Sequence, residues 1–193
     1  MNILLNELDA ILESLISSDN LVLYEKWMDE YGSKKLRKIH YETSRNSSAP
    51  TFETNLICLL FEKLKDKDPH CEWPYKSHVQ NLKNSNHADI VFLQLSSEKL
   101  YEVWVELKMF DSLALWNKNQ YSKDFEKLKQ VIDANPLCVG VCLHFDIKTR
   151  KKDFLDFFES IKEQNKYNYH IDYRIIGDKN NFHFVRLAFM QKA

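Results

Sequence analysis

The segment from residue 87 to residue 110 most constrains the fold, because it places three charged residues within two apolar strand patterns. In the first pattern, HADIVFLQL, side-chain character alternates with a period of two, which is typical of a β-strand. The second pattern, from Leu100 to Met109, is rich in Tyr, Val and Trp, which favour strands. Ser96 and Ser97 separate the two patterns and predict a turn. We therefore expect a β-hairpin.

Asp89, Glu106 and Lys108 are the charged residues of interest in this hairpin. Glu106 and Lys108 lie two residues apart and so share one face of the second strand, with Leu107 on the other face. A buried charge costs several kcal/mol unless it is paired or binds a metal. These residues are therefore expected to pair with one another, to reach the sheet edge, or to form a site.

Composition is typical of a soluble globular protein. The chain has 193 residues, of which 44% are hydrophobic and 28% charged, and this length predicts a single domain over 1–193. The net charge of −1 does not support a nucleic-acid coating protein. The sequence contains no run of about 18 apolar residues, so it predicts no membrane span. The first apolar stretch, MNILLNELDAIL, carries Glu7 and Asp9 and lacks a basic start, so we expect a cytoplasmic protein without a signal peptide.

The cysteines do not show the spacing of a zinc site, which would require CxxC or a similar pair with matching Cys or His residues. We expect all four to be small buried residues in a reducing compartment, namely Cys58, Cys71, Cys138 and Cys142.

Hydrophobic periodicity predicts the remaining elements. Residues 3–17 and 21–31 are expected to form amphipathic helices within a helical extension over 1–45. A helix opened by Thr51 is expected to bury one apolar stripe, which consists of Phe52, Leu56, Leu59, Leu60 and Leu64, and a strand over 71–80 and the hairpin follow it. A helix capped by Ser122 and stopped by Asn135-Pro136 is expected to bury a second stripe, which consists of Phe125, Leu128, Val131 and Ile132. The remaining elements are an interior strand over 137–146, indicated by its nearly continuous apolar run, a helix begun by Thr149, and two strands over 167–176 and 181–190. This order predicts an α/β fold with a mixed sheet.

Residues 50–147 resemble the PD-(D/E)xK nuclease superfamily, which has the restriction-endonuclease-like fold. A carboxylate, Glu53, lies early in a helix before the sheet, and Asp89 follows on a strand in the sequence HADIVF. The sequence ELK then supplies Glu106 and Lys108 at the positions of the (D/E)xK pair. Ala88 stands where the motif has proline, and the chain lacks the Gln-x-x-x-Tyr that marks the RecB-like branch.

The resemblance implies a metal-dependent endodeoxyribonuclease with a role in restriction, phage or defence. Mg²⁺ or Mn²⁺ would be held by Asp89, Glu106, the Leu107 backbone carbonyl and Glu53, because Mg²⁺ prefers oxygen ligands. Lys108 would lie near the attacking water or the scissile phosphate. RNA as the substrate and a homodimer as the assembly remain open. In this reading residues 148–193 add a helix and a C-terminal β-hairpin to the core.

Basic residues outside the motif are candidates for contacting the phosphate backbone, because a weak net charge does not exclude a local basic patch. The candidates are His87, Lys127, Lys34, Lys35, Lys151 and Lys152. For each, a solvated surface position is the competing interpretation.

Three further interpretations remain open. Asp89, Glu106 and Lys108 can instead form a structural ion-pair cluster, and Glu53 can act only as a partner of the helix dipole. Glu62 competes with Glu53 for the site, although a solvent-facing position is favoured. The second functional class is a catalytically inactive nucleic-acid-binding or scaffolding protein that keeps a nuclease-like fold.

Overall fold

The computed structural model describes residues 52–77, 79, 87–110, 119–146, 151–162, 166–176 and 182–192. The helices expected over 3–17 and 21–31 lie outside these residues. The same holds for the expected helix starts Thr51 and Thr149 and for Lys34 and Lys35.

Along the described chain, helices and strands follow the order expected from the sequence. The helices are α1 (Phe52–Lys63), α2 (Asn119–Ala134) and α3 (Lys151–Lys162). The strands are β1 (His70–Pro74), β2 (His87–Ser96), β3 (Lys99–Phe110), β4 (Cys138–Asp146), β5 (Tyr167–Ile176) and β6 (Phe182–Gln191). Short 3-10 turns follow α1 at Lys65–Lys67 and β1 at Tyr75–Ser77. The predicted α/β architecture is confirmed.

The six strands form one mixed sheet in the order β1-β2-β3-β4-β6-β5. β3 and β4 are parallel, and the other neighbouring pairs are antiparallel. A parallel pair needs a long crossover connection, and α2 lies in the connection between β3 and β4. β4, expected to be an interior strand from its continuous apolar run, lies between β3 and β6 as predicted.

One face of the sheet is covered by α2, and we call it the α2 face. The predicted apolar stripe of this helix is buried there, and it consists of Phe125, Leu128, Val131 and Ile132. These side chains pack with Val91 of β2, Trp104 of β3, Cys142 of β4 and Leu187 and Phe189 of β6. Because side chains alternate along a strand, Asp89 and Glu106 lie on this same face.

The opposite face carries Ile90, Phe92 and Gln94 of β2. Lys67, in the turn after α1, donates a 2.8 Å hydrogen bond to Oε1 of Gln94, so this turn lies on the opposite face. α1 contacts β1, β2 and β3, and Leu60 and Leu64 of its predicted stripe are buried. The two described helices nearest the hairpin therefore flank it from different sides.

The prediction of a first strand over residues 71–80 was wrong at its C-terminal end. β1 ends at Pro74, and Tyr75–Ser77 form a 3-10 turn. Proline has no backbone N–H and cannot donate a hydrogen bond to a neighbouring strand. Two residues before Pro74, Glu72 has a left-handed φ of 51°, which disturbs the strand. This early end places the Tyr75 side chain in the core, where it is buried.

The hairpin turn is shifted by one residue from its predicted position. Ser96 pairs with Lys99, so the two turn residues are Ser97 and Glu98. Their φ angles are 49° and 65°, and positive φ at both central residues is the requirement of a type I′ turn. Asn-Gly suits this turn better than Ser-Glu, which explains why the sequence signal was weak.

The start of α2 was also predicted wrongly, whereas its end was predicted correctly. The helix begins at Asn119, so Ser122 is an exposed residue within it and does not cap it. At the other end the helix stops at Ala134, and the side-chain oxygen of Asn135 accepts a 2.9 Å hydrogen bond from the backbone N–H of Leu137. Pro136 follows and cannot continue a helix.

Only half of the cysteine prediction is correct. Cys138 and Cys142 are buried, but Cys58 and Cys71 are exposed. All four are free thiols. Cys58 belongs to α1 and Cys71 to the edge strand β1, where one side of the element faces solvent.

Candidate functional site

Asp89 and Glu106 lie across from each other where the β2–β3 pairing ends. Ile90 pairs with Val105, and extending this antiparallel register by one residue brings Asp89 opposite Glu106. At this point Asp89 Oδ2 accepts a 2.6 Å hydrogen bond from the backbone N–H of Leu107. The side chain of Asp89 thus holds the end of the hairpin together beside Glu106.

Glu106 is buried and has a partner on each carboxylate oxygen. Only 4% of the residue is exposed. The hydroxyl of Tyr75 donates to Oε1 at 2.5 Å, and the ammonium of Lys127 donates to Oε2 at 3.0 Å. An unpaired buried carboxylate costs free energy of folding, and these two donors explain why Glu106 can be buried in the core.

A second buried carboxylate, Asp124, continues this arrangement on α2. The ammonium of Lys127 lies 3.5 Å from Asp124 Oδ1, and Nε2 of His144 lies 3.3 Å from Asp124 Oδ2. Asp124 and His144 are both buried. We call the five side chains the Glu106 network, which consists of Tyr75, Glu106, Asp124, Lys127 and His144.

The β3–α2–β4 crossover explains how this network assembles. In the parallel register Glu106 pairs with Cys142 and Lys108 pairs with His144, so Glu106 and His144 lie near the same ends of adjacent strands. The helix between these strands starts at that end of the sheet. Its residues 124 and 127 are three positions apart and so lie on the same helix face.

Burial raises the pKa of Glu106 to about 7, with the ammonium of Lys127 opposing the shift and the negative charge of Asp89 adding to it. Burial also raises the pKa of Tyr75, and the adjacent Glu106 raises it further, so the phenol stays a donor. Burial disfavours the charged form of Lys127, but Glu106 and Asp124 outweigh this effect and raise the pKa of its ammonium. The network thus contains a firmly protonated lysine beside carboxylates.

The other predicted site residues are placed only in part. Lys108 lies two residues beyond Glu106 on β3, a position that strand alternation assigns to the α2 face, and its side chain is outside the described part of the structure. Glu53 lies in the first turn of α1, and its side chain is likewise not among those that the structure describes. That the side chains of Lys108 and Glu53 reach the site stays a prediction.

The predicted nucleic-acid contacts are also placed in part. His87 is the half-buried first residue of β2 and pairs with Pro74. Lys151 and Lys152 are the first residues of α3, and their side chains are not among those that the structure describes. Lys127 has carboxylate partners that the sequence analysis did not suggest, and its side chain is 30% exposed.

Tyr75, Asp124 and His144 were missed by the sequence analysis. For Asp124 a signal existed, because it occupies the buried stripe of α2 at the spacing i, i+4, i+7 with Leu128 and Val131. A carboxylate in such a stripe needs a partner. His144 similarly interrupts the apolar run of β4. Tyr75 gave no signal, because its burial depends on where β1 ends.

The side chains beside the hairpin include oxygen donors of the kind that Mg²⁺ prefers. Mg²⁺ is typically bound by one or two protein carboxylates and keeps several waters, and Asp89 and Glu106 provide two carboxylates. Among the described residues no group of three or more His, Cys, Asp or Glu side chains is arranged to hold a metal. The fit to a metal therefore rests on two carboxylates.

A separate open cleft lies between α1 and β1. It has a volume of about 560 Å³, and its lining contains none of the Glu106 network. The lining consists of Cys58, Phe61, Glu62, Pro69, His70, Cys71 and Trp73. Glu62 is exposed here, as the sequence analysis favoured.

None of the described helices is both long enough and apolar enough to cross a membrane. Comparison of the chain with protein-family models, with curated proteins and with solved structures finds no match.

Proposed function

We propose that this protein is a metal-dependent nuclease of the PD-(D/E)xK superfamily that hydrolyses phosphodiester bonds of DNA. The observation that carries the proposal is the position of Asp89 and Glu106, which face the same side at the end of the β2–β3 pairing with Lys108 two residues further on. The order of a helix, three antiparallel strands, a helix and a parallel strand supports a restriction-endonuclease-like fold.

In this proposal Asp89 and Glu106 hold Mg²⁺ or Mn²⁺, with the Leu107 carbonyl and Glu53 as further oxygen ligands. A metal ion held there would supply Lewis acidity for phosphodiester hydrolysis. Tyr75 fixes the orientation of Glu106 through its hydrogen bond to Oε1. Lys108 provides positive charge for the phosphate on which negative charge develops.

Binding of the substrate would be electrostatic in this proposal. The candidate contacts are His87, Lys127, Lys34, Lys35, Lys151 and Lys152, and the net charge of −1 means that they must form a local patch. RNA is the alternative substrate, because a site for a phosphodiester does not by itself distinguish the two sugars.

One observation favours a second function, that of a non-cleaving nucleic-acid-binding or scaffolding protein. Glu106 is 4% exposed and both of its oxygens already accept hydrogen bonds, which is also what a structural ion pair would show. A scaffold would keep this network for stability and would bind nucleic acid without hydrolysing it.

A cleavage assay separates the two functions. Supercoiled plasmid and a labelled RNA are incubated with the protein in Mg²⁺, in Mn²⁺ and in EDTA. We expect cleavage that requires the metal and falls by orders of magnitude in Asp89→Asn and in Glu106→Gln. Glu126→Gln, an exposed carboxylate on α2, is the matched control.

Circular dichroism establishes that each variant is folded. Cleavage in EDTA, or variants as active as the parent protein, would contradict the proposal. Binding without cleavage on either substrate would favour the scaffold.

A further inference from the structure

The ammonium of Lys127 pairs with two buried acidic side chains. It is 3.0 Å from Glu106 Oε2 and 3.5 Å from Asp124 Oδ1. The side chains of these acids are only 6% and 2% exposed, whereas that of Lys127 is 30% exposed. One partly exposed cation thus links two nearly inaccessible anions on different elements.

The three residues differ in how firmly they are held. Glu106 also accepts from the buried Tyr75, and Asp124 also has the buried His144 at 3.3 Å. Lys127 has a long flexible side chain whose exposed part gives its ammonium a route toward solvent. Lys127 is therefore the member of the network that can move without unpacking the core.

We propose that Lys127 is an internal counter-cation, whose ammonium pairs with Glu106 in the metal-free protein. A divalent ion that binds Glu106 displaces the ammonium from this residue. This inference rests on the proposed function, because it assumes a metal held by Asp89 and Glu106. The physical reason is that Glu106 would serve both cations, and two positive charges that share one carboxylate repel each other. When the ammonium leaves Glu106, Asp124 remains as its second carboxylate partner.

Displacement makes the affinity for the metal depend on Lys127. Removal of the ammonium removes the competitor, so the metal binds more tightly, and the coupling between two such ligands typically amounts to roughly 5-fold to 150-fold in affinity. A lysine too far from the metal to repel it would show no such gain, and a lysine that stayed on Glu106 would not become more accessible when the metal binds. If Lys127 instead helped to organise the metal ligands, its removal would weaken metal binding.

The first test measures Mn²⁺ binding by calorimetry at fixed pH and ionic strength, without nucleic acid. Lys127→Met keeps the aliphatic stem, and we expect it to bind Mn²⁺ roughly 5-fold to 150-fold more tightly than the parent protein. Lys127→Arg keeps the charge and is expected to stay near the parent value. Lys129→Met is the matched control, because Lys129 lies on the same helix and pairs with the exposed Glu126.

A second measurement needs no substitution and so does not depend on the folding of a variant. The parent protein is acetylated with an amine-reactive ester in the absence and presence of Mn²⁺, and labelling is followed by mass spectrometry. We expect Mn²⁺ to increase labelling of Lys127 and to leave Lys129 unchanged.

Equal or weaker Mn²⁺ binding by a folded Lys127→Met, or unchanged labelling of Lys127 at saturating Mn²⁺, would overturn the displacement. If the parent protein binds no Mn²⁺ and Asp89→Asn behaves identically, the proposed metal site itself fails. The two failures are therefore distinguishable.

Discussion

Tyr75 donates a 2.5 Å hydrogen bond to Oε1 of Glu106, although the two residues lie 31 positions apart in the sequence. Both side chains are buried, so neither group has water as a substitute partner. This bond connects the turn after β1 to the centre of the sheet. It is the contact by which the early end of β1 affects the candidate site.

The first prediction concerns the stability that this bond provides. Tyr75→Phe leaves a buried carboxylate oxygen without its donor, so the free energy of unfolding should fall by about 1–3 kcal/mol. In a Glu106→Leu background the same change should cost clearly less, because no carboxylate remains to be satisfied. Urea denaturation measures both, and Tyr101→Phe, a half-buried tyrosine on β3, is the control. Equal costs in the two backgrounds would contradict the assignment.

The second prediction concerns Gly140, where β4 passes beneath α2. A Cβ at this position would lie 2.6 Å from Cδ1 of Ile132 and 2.9 Å from Cε1 of Phe189. Gly140→Ala should therefore lower the free energy of unfolding by about 1–3 kcal/mol, as overpacked cores do. Ile132→Val removes Cδ1 and should recover part of this loss in the double variant. If Gly140→Ala is neutral in chemical denaturation, the packing of α2 on β4 is looser than described.

The third prediction uses Asp133, on the exposed side of α2. Burial disfavours its charge, but hydrogen bonds from Lys166 at 2.7 Å and Tyr167 at 2.5 Å outweigh that effect and lower the pKa of Asp133 below 3.8. Its contribution to stability is therefore complete above the unfolded-state pKa and is lost as the pH falls through the lower folded-state pKa.

Asp133→Asn should accordingly be less stable than the parent protein at pH 7, with a difference that shrinks below about pH 4. Denaturation curves over this pH range measure the difference. Asp156→Asn removes an exposed carboxylate on α3 and controls for the loss of one charge. A difference that grows toward low pH would have the wrong sign.

The fourth prediction compares three residues of the proposed nuclease. Lys108→Ala should nearly abolish cleavage while Mn²⁺ binding persists, since Lys108 is assigned to the phosphate. Glu53→Ala should cost about 1.4 to 4 kcal/mol of barrier, or tenfold to a thousandfold in rate. Glu62→Ala, an exposed residue of the α1–β1 cleft, should cost little and is the control. A damaging Glu62→Ala with a silent Glu53→Ala would reverse these two assignments.

The fifth prediction concerns binding to duplex DNA. Affinity should fall steeply with salt, and each phosphate contact that is lost should reduce the logarithmic slope by about 0.9. The joint change of Lys34, Lys35, Lys151 and Lys152 to Ala should flatten the slope. The control set changes the exposed residues Lys63, Lys65, Lys99 and Lys192. An unchanged slope in the first set would place the DNA contacts elsewhere.

Patterns with a short period determined much of this protein from the sequence alone. Alternation over residues 87–110 is a property of the extended backbone, so it already placed Asp89, Glu106 and Lys108 on strands, and the observed register brings Asp89 opposite Glu106. The apolar stripe of α2 and the continuous apolar run of β4 were likewise sufficient to predict a covered sheet with an interior strand. Each of these signals depends only on neighbours within about two helical turns.

Tertiary structure alone decided which partners Glu106 acquired. Tyr75 and Lys127 lie 31 and 21 positions away from Glu106, and they meet it only because β1 stops at Pro74 and α2 crosses back over the sheet. Cys71 is exposed and Cys142 buried for a similar reason, since one lies on the edge strand and the other on an interior strand. Hydrophobic periodicity records which face of an element is buried, whereas strand order and crossover geometry determine what lies against that face.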